Sequence, residues 1–542
     1  MILALAALVW LAGCCHRLYS QALYLQLEEY ESGRYLRWLA DRGSRWLPRR
    51  PLTAWLVGSA LILLFAEAPD TQLPAFLSLP VAILANWPQK GGEVKKGFRV
   101  TWRVRRLLLV AWVLALLVAL PLITAIDGHG DGLLQPLLVT AAGLLLVLMA
   151  PLLLVGANLL LRPLESLLRR RFVARARAIL MEAGPTIIGI TGSYGKTSTK
   201  VYLQHILNGH CRVGATPKSF NTLMGVCLAI SQDLEEDRSL DYYIVEMGAY
   251  VPGEIAEICK LARPAISIVT AIGPQHLERF GSIDNIVTAK YEIISALPAD
   301  GVAILDRDNP HLRAMAARAH PASILTVSCE SSTEDGPADD PRLVATDIQE
   351  SLDGLRFNVE DRRSGERVVF STNLLGRHNV NNILLAAAVA RNEGMSLRDI
   401  AWRVRSLQPA EARLAREETA TGITLINDGY SANPAGARHA LRVLGMHAGR
   451  RLLVTPGMVE LGDLMERENR KLGAEAARQA SDVILVGEQQ TRPLRQGLLE
   501  AGFAEDRLHT VSTLTEAITW YESHLVAGDA VLFLNDLPEN WS

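Results

Sequence analysis

The stretch "ITGSYGKTSTK", residues 190–200, combines glycines, a lysine and a threonine in a way that is typical of a phosphate-binding loop. The β-branched run "TIIGI" (186–190) before it predicts a strand, and residues 196–207 after it have the apolar spacing of a helix. Backbone N–H groups at the start of such a helix bind phosphate oxygens. The segment therefore predicts a strand–loop–helix unit that binds a nucleotide.

Two side chains of this loop carry the expected chemistry. Lys196 would neutralise the β- and γ-phosphates of ATP, and the Thr197 hydroxyl would bind Mg²⁺. The strict phosphate-loop pattern is broken, because Ile190 occupies the place of the first glycine and Gly192 follows two residues later. The loop alone therefore indicates nucleotide binding without identifying the class of enzyme.

Composition limits the remaining possibilities. The chain has 542 residues, of which 49% are hydrophobic, and its net charge is −2. This hydrophobic content predicts that part of the chain lies in a membrane, and the charge gives no reason to expect a nucleic-acid partner. Six cysteines show no CxxC spacing, so neither a zinc ribbon nor a disulfide framework is predicted.

The first 165 residues contain the apolar segments. They lie at about 1–16, 52–67, 72–87, 107–126 and 133–161. Arginine- and lysine-rich stretches at 34–50, 90–106 and 162–177 alternate with the short linkers "EAPDTQ" (67–72) and "DGHGDG" (127–132). By the positive-inside rule, this alternation predicts five spans of the cytoplasmic membrane, with the N-terminus outside and everything after residue 165 in the cytoplasm.

Two alternatives remain for this region. Residues 1–15 could be a secretory signal, and "LAGC" ending at Cys14 resembles a lipoprotein cleavage box, but no basic residue precedes the apolar run. Residues 52–67 and 72–87 could instead form a hairpin that enters the membrane and returns on the same side. Cleavage of a signal would leave the arginine-rich stretch 34–50 outside, against the positive-inside rule, whereas the hairpin leaves the orientation of everything downstream unchanged.

Further polar residues follow predicted strands or begin a helix. Glu246 ends the strand in "DYYIVEMGAY" (241–250), and His276 follows the strand in "AISIVTAIGPQH" (265–276), where an open α/β sheet binds its ligand. A capping glutamate and a surface-loop histidine are the simpler interpretations. Asn379 and Asn382 begin an apolar helix, where their amides could cap the helix or contact an adenine.

The motifs together resemble the Mur ligase family, closest to the type that adds D-alanyl-D-alanine in peptidoglycan synthesis. The motifs occur in the family's order: "TGSYGKTS", "EMGA", "HLERFGS…AKYEI", "GRHNVNN" and "NDGYSANP". The resemblance implies an α-helical membrane bundle (1–165) followed by an α/β part. That part would comprise a central ATP-binding domain with the phosphate loop (184–408) and a Rossmann-like C-terminal domain (409–542).

The resemblance also implies roles for individual residues. Lys290 matches a lysine that many family members carry as a carbamate, which would bridge Mg²⁺ ions; a plain surface lysine on a helix at 285–297 is the alternative. The other expected roles are a triphosphate site at Gly192, Ser193, Gly195, Lys196 and Thr197, metal ligands at Thr197, Glu246 and His276, an adenine site at Asn379 and Asn382, and nucleotide contacts on domain closure from Arg413 and Asp428. Lys196, His276 and Lys290 would take part in catalysis.

The reaction implied by the family is ATP-dependent ligation of a carboxylate to an amine. The carboxylate attacks the γ-phosphate of ATP, and an amino-acid or dipeptide amine then displaces phosphate from the acyl phosphate. Cations on the equatorial oxygens stabilise in-line phosphoryl transfer, and closure of the second domain would keep water away from the intermediate.

Departures from the family pattern leave the substrates open. No UDP-sugar-binding domain precedes the ATPase part, and the apolar bundle occupies its place. The segments "TPGMVELGDLMEREN" (455–469) and "LNDLPENW" (534–541) differ from the family's usual amine-recognition sequences. The expected acceptor is a carboxylate on a lipid-linked, polymeric or UDP-linked intermediate of the cell envelope or a surface polymer.

Two further readings stay open beside this one. An ordinary D-alanyl-D-alanine-adding ligase with a simple membrane anchor, docked to envelope-synthesis proteins, is the first alternative. An ATP-binding scaffold or transporter component is an alternative of another class.

Overall fold

A computed structural model of the full chain describes residues 1–41, 46–65, 72–87, 98, 100–127, 133–318, 320, 322–329, 341–430 and 433–534. The predicted linkers at 67–71 and 128–132, part of each early basic loop and the end of the chain at 535–542 lie outside these ranges. The chain divides into two compact units between Arg170 and Arg171.

The first unit is a bundle of apolar helices. Its helices are α1 (Ile2–Leu27), α2 (Ser32–Asp41), α3 (Arg49–Leu64), α4 (Leu73–Asn86), α5 (Trp102–Asp127) and the first part of α6 (Leu134–Ala183). Trp10, Leu18 and Tyr35 lie in its core, whereas leucines such as Leu8, Leu109 and Leu117 are exposed. A helical bundle with an apolar outer face is typical of proteins that lie in a lipid bilayer.

Within the described residues, each of the five apolar segments predicted from the sequence contains a helix, and the helices differ in length. Among the described helices, three are long and apolar enough to cross a membrane: Ile2–Leu27, Trp102–Pro121 and Leu134–Ala183. Helices α3 and α4 have 16 and 14 residues. At about 1.5 Å per residue, both are shorter than the roughly 30 Å of a hydrocarbon core. Of the five predicted spans, three thus correspond to described helices that are long and apolar enough to cross a membrane, and the two short segments remain short.

The first helix extends well beyond its predicted end at residue 16 and includes a buried arginine. Arg17 donates a 2.8 Å hydrogen bond to the carbonyl oxygen of Val147 in α6, and another of 2.6 Å to the carbonyl oxygen of Trp46. Pro151 has no N–H group, so the carbonyl of Val147, four residues earlier, lacks its helical hydrogen bond. Arg17 thus supplies the donor that Pro151 cannot.

The second unit begins with a nine-stranded sheet. Strand order is β2-β3-β1-β4-β5-β6-β7-β8-β9. The strands are β1 (Thr186–Thr191), β2 (Val213–Ala215), β3 (Tyr242–Glu246), β4 (Ile266–Val269), β5 (Val302–Asp306), β6 (Ser323–Ser328), β7 (Leu343–Ser351), β8 (Gly354–Asp361) and β9 (Arg367–Thr372). Neighbours are parallel up to β7 and antiparallel beyond it. Since β1 lies between β3 and β4, their carboxyl ends meet at one edge, where open α/β sheets bind ligands.

Helices pack on both faces of this sheet. They are the end of α6, α7 (Lys196–Leu207), α8 (Leu223–Glu236), α9 (Glu254–Ala262), α10 (Leu277–Phe280), α11 (Ile283–Ser295), α12 (Pro310–Ala316), α13 (His378–Asn392) and α14 (Leu397–Val404). Apolar side chains of β1, α7 and α13 form one core, and those of α8, α9 and α11 contribute to another. The predicted boundary at residue 165 falls inside α6.

A six-stranded sheet follows, with the order β10-β11-β15-β12-β13-β14. Its strands are β10 (Ala415–Glu418), β11 (Thr424–Asp428), β12 (Arg451–Thr455), β13 (Asp482–Val486), β14 (Leu508–Val511) and β15 (Ala530–Leu534). Its helices are α15 (Pro434–Gly445), α16 (Met465–Gln479), α17 (Glu488–Glu500) and α18 (Leu514–His524). Only the edge strand β10 is antiparallel.

Candidate active site

The phosphate loop connects β1 to α7 through two glycines with positive φ angles. Gly192 has a φ of 147° and Gly195 a φ of 84°, angles that glycine adopts readily. A Cβ atom on Gly192 would lie 2.0 Å from Thr270 Oγ1, and one on Gly195 would lie 2.6 Å from Asn382 Oδ1. Backbone conformation and close neighbours therefore both require glycine at these positions.

The donors of this loop fall into two groups. The N–H groups of Lys196 and Thr197 belong to the first turn of α7, so they have no acceptor within the helix. The Lys196 ammonium donates to two carbonyl oxygens of its own loop, at 2.8 and 3.2 Å. Ser193 differs, because its hydroxyl is hydrogen-bonded to Gly273. Ser193 thus fixes the loop, whereas Lys196 contacts the loop carbonyls and Thr197 contacts Glu246.

Glu246, at the end of β3, is joined to the start of α7. The Thr197 hydroxyl donates to its carboxylate at 3.1 Å, the Lys200 ammonium lies at 3.0 Å, and the Asn221 amide donates at 3.1 Å. Burial alone would raise the pKa of Glu246, but Lys200 and Lys196 outweigh that effect and hold the pKa below its usual value. The interpretation of Glu246 as a helix cap is wrong, because its carboxylate bonds side chains.

The charge of Lys196 affects the pKa of several other residues of the predicted site. Burial lowers the pKa of Lys196 to about 8, Glu246 opposes this shift, and Arg413 adds to it. Burial is also the largest influence on the pKa of Glu246, His276 and Lys290, and beyond it the charge of Lys196 lowers each of the three. The structure thus brings together residues that are almost one hundred positions apart in the chain.

His276 caps the one-turn helix α10 and contacts the second sheet. Its Nδ1 atom is hydrogen-bonded to the carboxylate of Glu460, which also forms a 3.1 Å ion pair with Arg279. Burial lowers the pKa of His276, and Glu460 opposes the shift. His276 is partly buried and bonded, so it is not a plain surface-loop histidine.

Lys290 lies on α11, and only 3% of its surface is exposed. This excludes the interpretation of Lys290 as a plain surface lysine. Burial lowers the pKa of Lys290 well below its usual value, and the charge of Lys196 adds to the shift. The Lys290 Nζ atom lies 5.6 Å from the centroid of the Phe280 ring. Burial and the charge of Lys196 thus both favour the neutral form of the amine over the ammonium.

Asn379 and Asn382 both lie on the first turns of α13 and are buried. Asn379 Oδ1 accepts from the Tyr202 hydroxyl at 3.0 Å and from the Asn382 amide at 3.1 Å. Asn382 Oδ1 accepts from the Thr199 hydroxyl at 3.3 Å. Helix capping by these amides is wrong, since no side chain caps α13. Here the pair connects α13 to α7, next to the phosphate loop.

Arg413 and Asp428 come from the second sheet and the segment that leads into it. The Arg413 guanidinium lies 4.5 Å from the centroid of the Tyr430 ring, and the Tyr430 hydroxyl donates to Ser219 near the first sheet. Burial raises the pKa of Asp428 to about 6, although Arg413 opposes the shift. Arg413 also acts on the pKa of Lys196, so the two sheets contribute to one site.

Sequence reasoning missed three residues of this arrangement. Lys200 lies one helical turn after Lys196, and this spacing on α7 was the available signal. Tyr430 lies within the quoted motif "NDGYSANP", so its aromatic ring was in view. Glu460 belongs to "GMVELG", and no local pattern indicates that it contacts His276. Contacts between sheets distant in sequence leave no periodic signal.

The two-sheet part of the chain is similar in sequence to known protein families and to known enzymes. The model of the Mur ligase middle domain matches residues 190–390, and that of the Mur ligase glutamate ligase domain matches residues 412–535. UDP-N-acetylmuramoyl-tripeptide–D-alanyl-D-alanine ligase of Bacillus subtilis is 30% identical over 361 residues, 66% of this chain and 74% of that protein. The Mycobacterium leprae ligase of the same name is 34% identical over 377 residues, 66% of this chain and 72% of that protein.

Solved structures agree with these sequence matches. The crystal structure of MurF from Acinetobacter baumannii superposes with a TM-score of 0.58 and 27% identity, covering 68% of this chain and 77% of that one. MurF ligase from Thermotoga maritima, solved in complex with ADP, shares the fold with a TM-score of 0.58 and 24% identity, covering 68% and 80% of the two chains. The chain therefore belongs to the Mur ligase family of ATP-dependent amide ligases.

Proposed function

We propose that this protein is a membrane-attached, MurF-like ligase that activates a carboxylate as an acyl phosphate and joins it to an amine in cell-envelope synthesis. The observation that carries the proposal is the convergence of Glu246, His276 and Lys290 on Lys196 at the carboxyl edge of the first sheet. Arg413 reaches the same site from the second sheet. These groups supply the cations and polar ligands that phosphoryl transfer needs.

The first step transfers a phosphoryl group from ATP. A carboxylate oxygen of the acceptor attacks the γ-phosphorus, the bond between that phosphorus and the β,γ-bridging oxygen breaks, and ADP leaves. Lys196 and the N–H groups of the first turn of α7 hold the phosphates, and Arg413 adds positive charge. Asn379 and Asn382 would face the adenine, as the family resemblance implies, and Asp428 would contact the nucleotide.

The second step forms the amide. The amine nitrogen attacks the acyl carbon, the carbon–oxygen bond to phosphate breaks, inorganic phosphate leaves and the nitrogen loses a proton. Water would compete with the amine for the acyl phosphate. Contacts such as Tyr430 with Ser219 and Glu460 with His276 hold the two sheets together over the site, which favours exclusion of water.

The residues of the site suit Mg²⁺ bound together with a triphosphate. Among the described residues, no three histidine, cysteine or acidic side chains form a cage for a metal on their own. Mg²⁺ typically takes one or two protein oxygen ligands together with substrate phosphates and water, and Thr197 Oγ1 and Glu246 lie side by side. Bound Mg²⁺ would neutralise charge on the transferred phosphoryl group. His276, together with Glu246, is the proposed ligand of a second ion, to which Lys290 would contribute as a carbamate.

Lys290 is proposed to carry a carbamate. Only a neutral amine adds to CO₂, and burial lowers the pKa of Lys290 in a way that favours this form. Addition forms an N–C bond and releases a proton, so the side chain becomes a carboxylate. That carboxylate would suit a magnesium ion, whereas a buried ammonium would repel one.

Two kinds of acceptor remain as candidates. The apolar helices favour a carboxylate on a lipid-linked or growing polymer intermediate, with the ligase part on the cytoplasmic side of the cytoplasmic membrane. The names of the relatives from Bacillus subtilis and Mycobacterium leprae favour a UDP-linked muramyl tripeptide and D-alanyl-D-alanine. In the second case the helices would serve as an anchor, or as a docking surface for envelope-synthesis proteins.

Product analysis with the full-length protein in detergent tests the proposal. The protein receives ATP, Mg²⁺ and D-alanyl-D-alanine together with either the UDP-linked tripeptide or its lipid-linked counterpart, and mass spectrometry identifies the amide. We expect product only with the lipid-linked acceptor, and none from Lys196→Ala, whereas the variant of the exposed Lys260, Lys260→Ala, should match the wild type. Equal or faster turnover of the UDP-linked tripeptide would support the second candidate. Hydrolysis of ATP without any amide would favour a transporter component.

A further inference from the structure

A loop of the second sheet contacts the first sheet through one acidic residue. The Glu460 carboxylate is bonded to His276 Nδ1 and to Arg279, and the Glu460 carbonyl oxygen accepts the Glu278 N–H at 3.3 Å. One residue thus contacts three positions of a four-residue segment. Glu460 itself is not among the residues to which the family motifs assign a role in the nucleotide site.

The loop that carries Glu460 is held firmly within its own sheet. Asn469, which is 1% exposed, accepts the Met458 N–H at 2.8 Å and donates to the Met458 carbonyl at 2.8 Å. Leu461, directly after Glu460, is buried in the core of the second sheet. The position of the Glu460 carboxylate therefore follows the position of the second sheet as a whole.

The segment 276–279, which Glu460 contacts, is also held in place by its neighbours. His276 has a φ of 57°, and the Tyr250 ring packs edge-on against its imidazole with 5.0 Å between centroids. The Arg279 guanidinium lies 4.4 Å from the centroid of the same tyrosine ring. Glu460, His276, Tyr250 and Arg279 thus form a closed ring of contacts, which fixes the rotation of the imidazole.

The contact also selects one nitrogen of the imidazole. When Nδ1 donates its proton to a carboxylate, the lone pair of a neutral imidazole lies on Nε2. Carboxylates often orient metal-binding histidines in this way, and their loss lowers metal affinity by about 10- to 100-fold. No residue in the described part of the chain forms a hydrogen bond with Nε2 of His276, which leaves that atom available to a ligand.

We propose that Glu460 is a positioning residue that orients His276 Nε2 toward the metal–nucleotide complex when the second sheet is docked on the first. Docking of the second sheet and metal binding at His276 then favour each other, since each stabilises the same arrangement. The inference rests on the proposed role of His276 as a metal ligand.

Manganese binding to the full-length protein tests the inference. Electron paramagnetic resonance measures the dissociation constant of Mn²⁺ in the presence of a non-hydrolysable ATP analogue, and spin-echo modulation detects a histidine nitrogen bound to Mn²⁺. We expect Glu460→Gln to raise the dissociation constant of the weaker ion about 10- to 100-fold and to reduce the nitrogen modulation. Glu460→Asp, which retains the charge, should recover part of the affinity. The exposed neighbour Glu466 provides the matched control, Glu466→Gln, with unchanged binding.

A double-mutant cycle separates positioning from a general structural effect. If Glu460 acts through His276, adding Glu460→Gln to His276→Gln should change the Mn²⁺ dissociation constant by less than about twofold. Full additivity of the two substitutions, or wild-type Mn²⁺ affinity in Glu460→Gln, would overturn the inference. Failure of the proposed function has a different signature, since the wild-type protein would then show no histidine nitrogen bound to Mn²⁺ at all.

Discussion

The ammonium of Lys200 lies 3.0 Å from the carboxylate of Glu246, and the two side chains are only 4% and 1% exposed. Each charge is removed from water and compensated mainly by the other, with Asn221 and Thr197 completing the hydrogen bonds of the carboxylate. A pair of this kind is costly to break, because the remaining charge stays buried without its counterion.

Replacement of Lys200 should therefore destabilise the ligase part of the protein. We expect Lys200→Met to lower the free energy of unfolding by about 3–5 kcal/mol. Lys260 is exposed, so Lys260→Met should change the free energy by less than about 0.5 kcal/mol. Thermal and denaturant unfolding of both variants measures the difference, and equal stability of the two would contradict the importance of the buried pair.

Nucleotide binding should depend on pH through Lys196. The pKa of Lys196 in the folded protein is about 8, below its ordinary value of 10.5. Between these values the unfolded chain binds more protons, so burial of Lys196 costs stability below about pH 8, and that cost fades as the pH rises. A phosphate needs the ammonium form, so affinity for an ATP analogue should fall above pH 8, by at most about tenfold per pH unit.

Calorimetry between pH 7 and pH 9.5 measures this dependence. In Lys196→Arg the guanidinium stays charged throughout, so its affinity, even if weaker, should not change over this range. A wild-type profile as flat as that of Lys196→Arg would show that Lys196 keeps its proton.

Two glycines at helix starts provide a matched pair of substitutions. Gly195 and Gly253 both precede a helix with positive φ, at 84° and 99°, but a Cβ atom on Gly253 would meet nothing within 4 Å. Gly253→Ala should cost about 1–2 kcal/mol from backbone strain alone and leave nucleotide binding intact. Gly195→Ala adds a clash with Asn382, so it should cost more and weaken binding of an ATP analogue at least tenfold. Equal effects of the two substitutions on binding would refute a specific role of the loop.

Carbamate formation on Lys290 predicts a dependence on CO₂. Protein equilibrated with ¹³C-bicarbonate should show a carbamate resonance that Lys290→Arg lacks, because a guanidinium forms no carbamate under these conditions. Removal of CO₂ should lower ligase activity, and bicarbonate should restore it. Full activity in CO₂-free buffer without a carbamate resonance would exclude this modification.

The topology proposed for the apolar part places residues 130 and 180 on opposite sides of the membrane. Reporter fusions at these two positions should therefore be active in different compartments, with residue 180 in the cytoplasm. Reporters on the same side would contradict the proposed order of spans. A fusion at residue 69 distinguishes a spanning α3–α4 pair from a hairpin that returns to the cytoplasmic side.

The parts of the fold that could be predicted from the sequence are those with a local signal. The buried strands β1, β3 and β4 and the helix after the phosphate loop follow directly from apolar runs and their flanking motifs. Helix ends were less predictable: α1 continues through Arg17 to Leu27, because Arg17 finds carbonyl partners that only the folded bundle supplies. The amphipathic helix α2 was missed because its polar composition resembles that of a loop.

In the candidate site, too, the residues within local motifs could be predicted, whereas their distant partners could not. Ordered motifs predicted Lys196, Glu246, His276 and Lys290, and in the structure the charge of Lys196 acts on the pKa of the other three. Their partners could not be predicted, because Glu460 is 184 positions from His276. The internal hydrogen bonds of Asn379 and Asn382 likewise depend on the packing of α13 against α7.

The bond between Arg17 and Val147 also constrains the order in which the bundle can be made. If α1 lies in the bilayer as we propose, Arg17 gains one carbonyl partner, Trp46, after 29 further residues have been made. Its partner in α6 is 130 positions later, and synthesis at about 5–20 residues per second delays it by roughly 7–26 seconds. Helix α1 therefore completes its contacts only after α6 has been made, and a chain that stops before residue 147 should lack this bond.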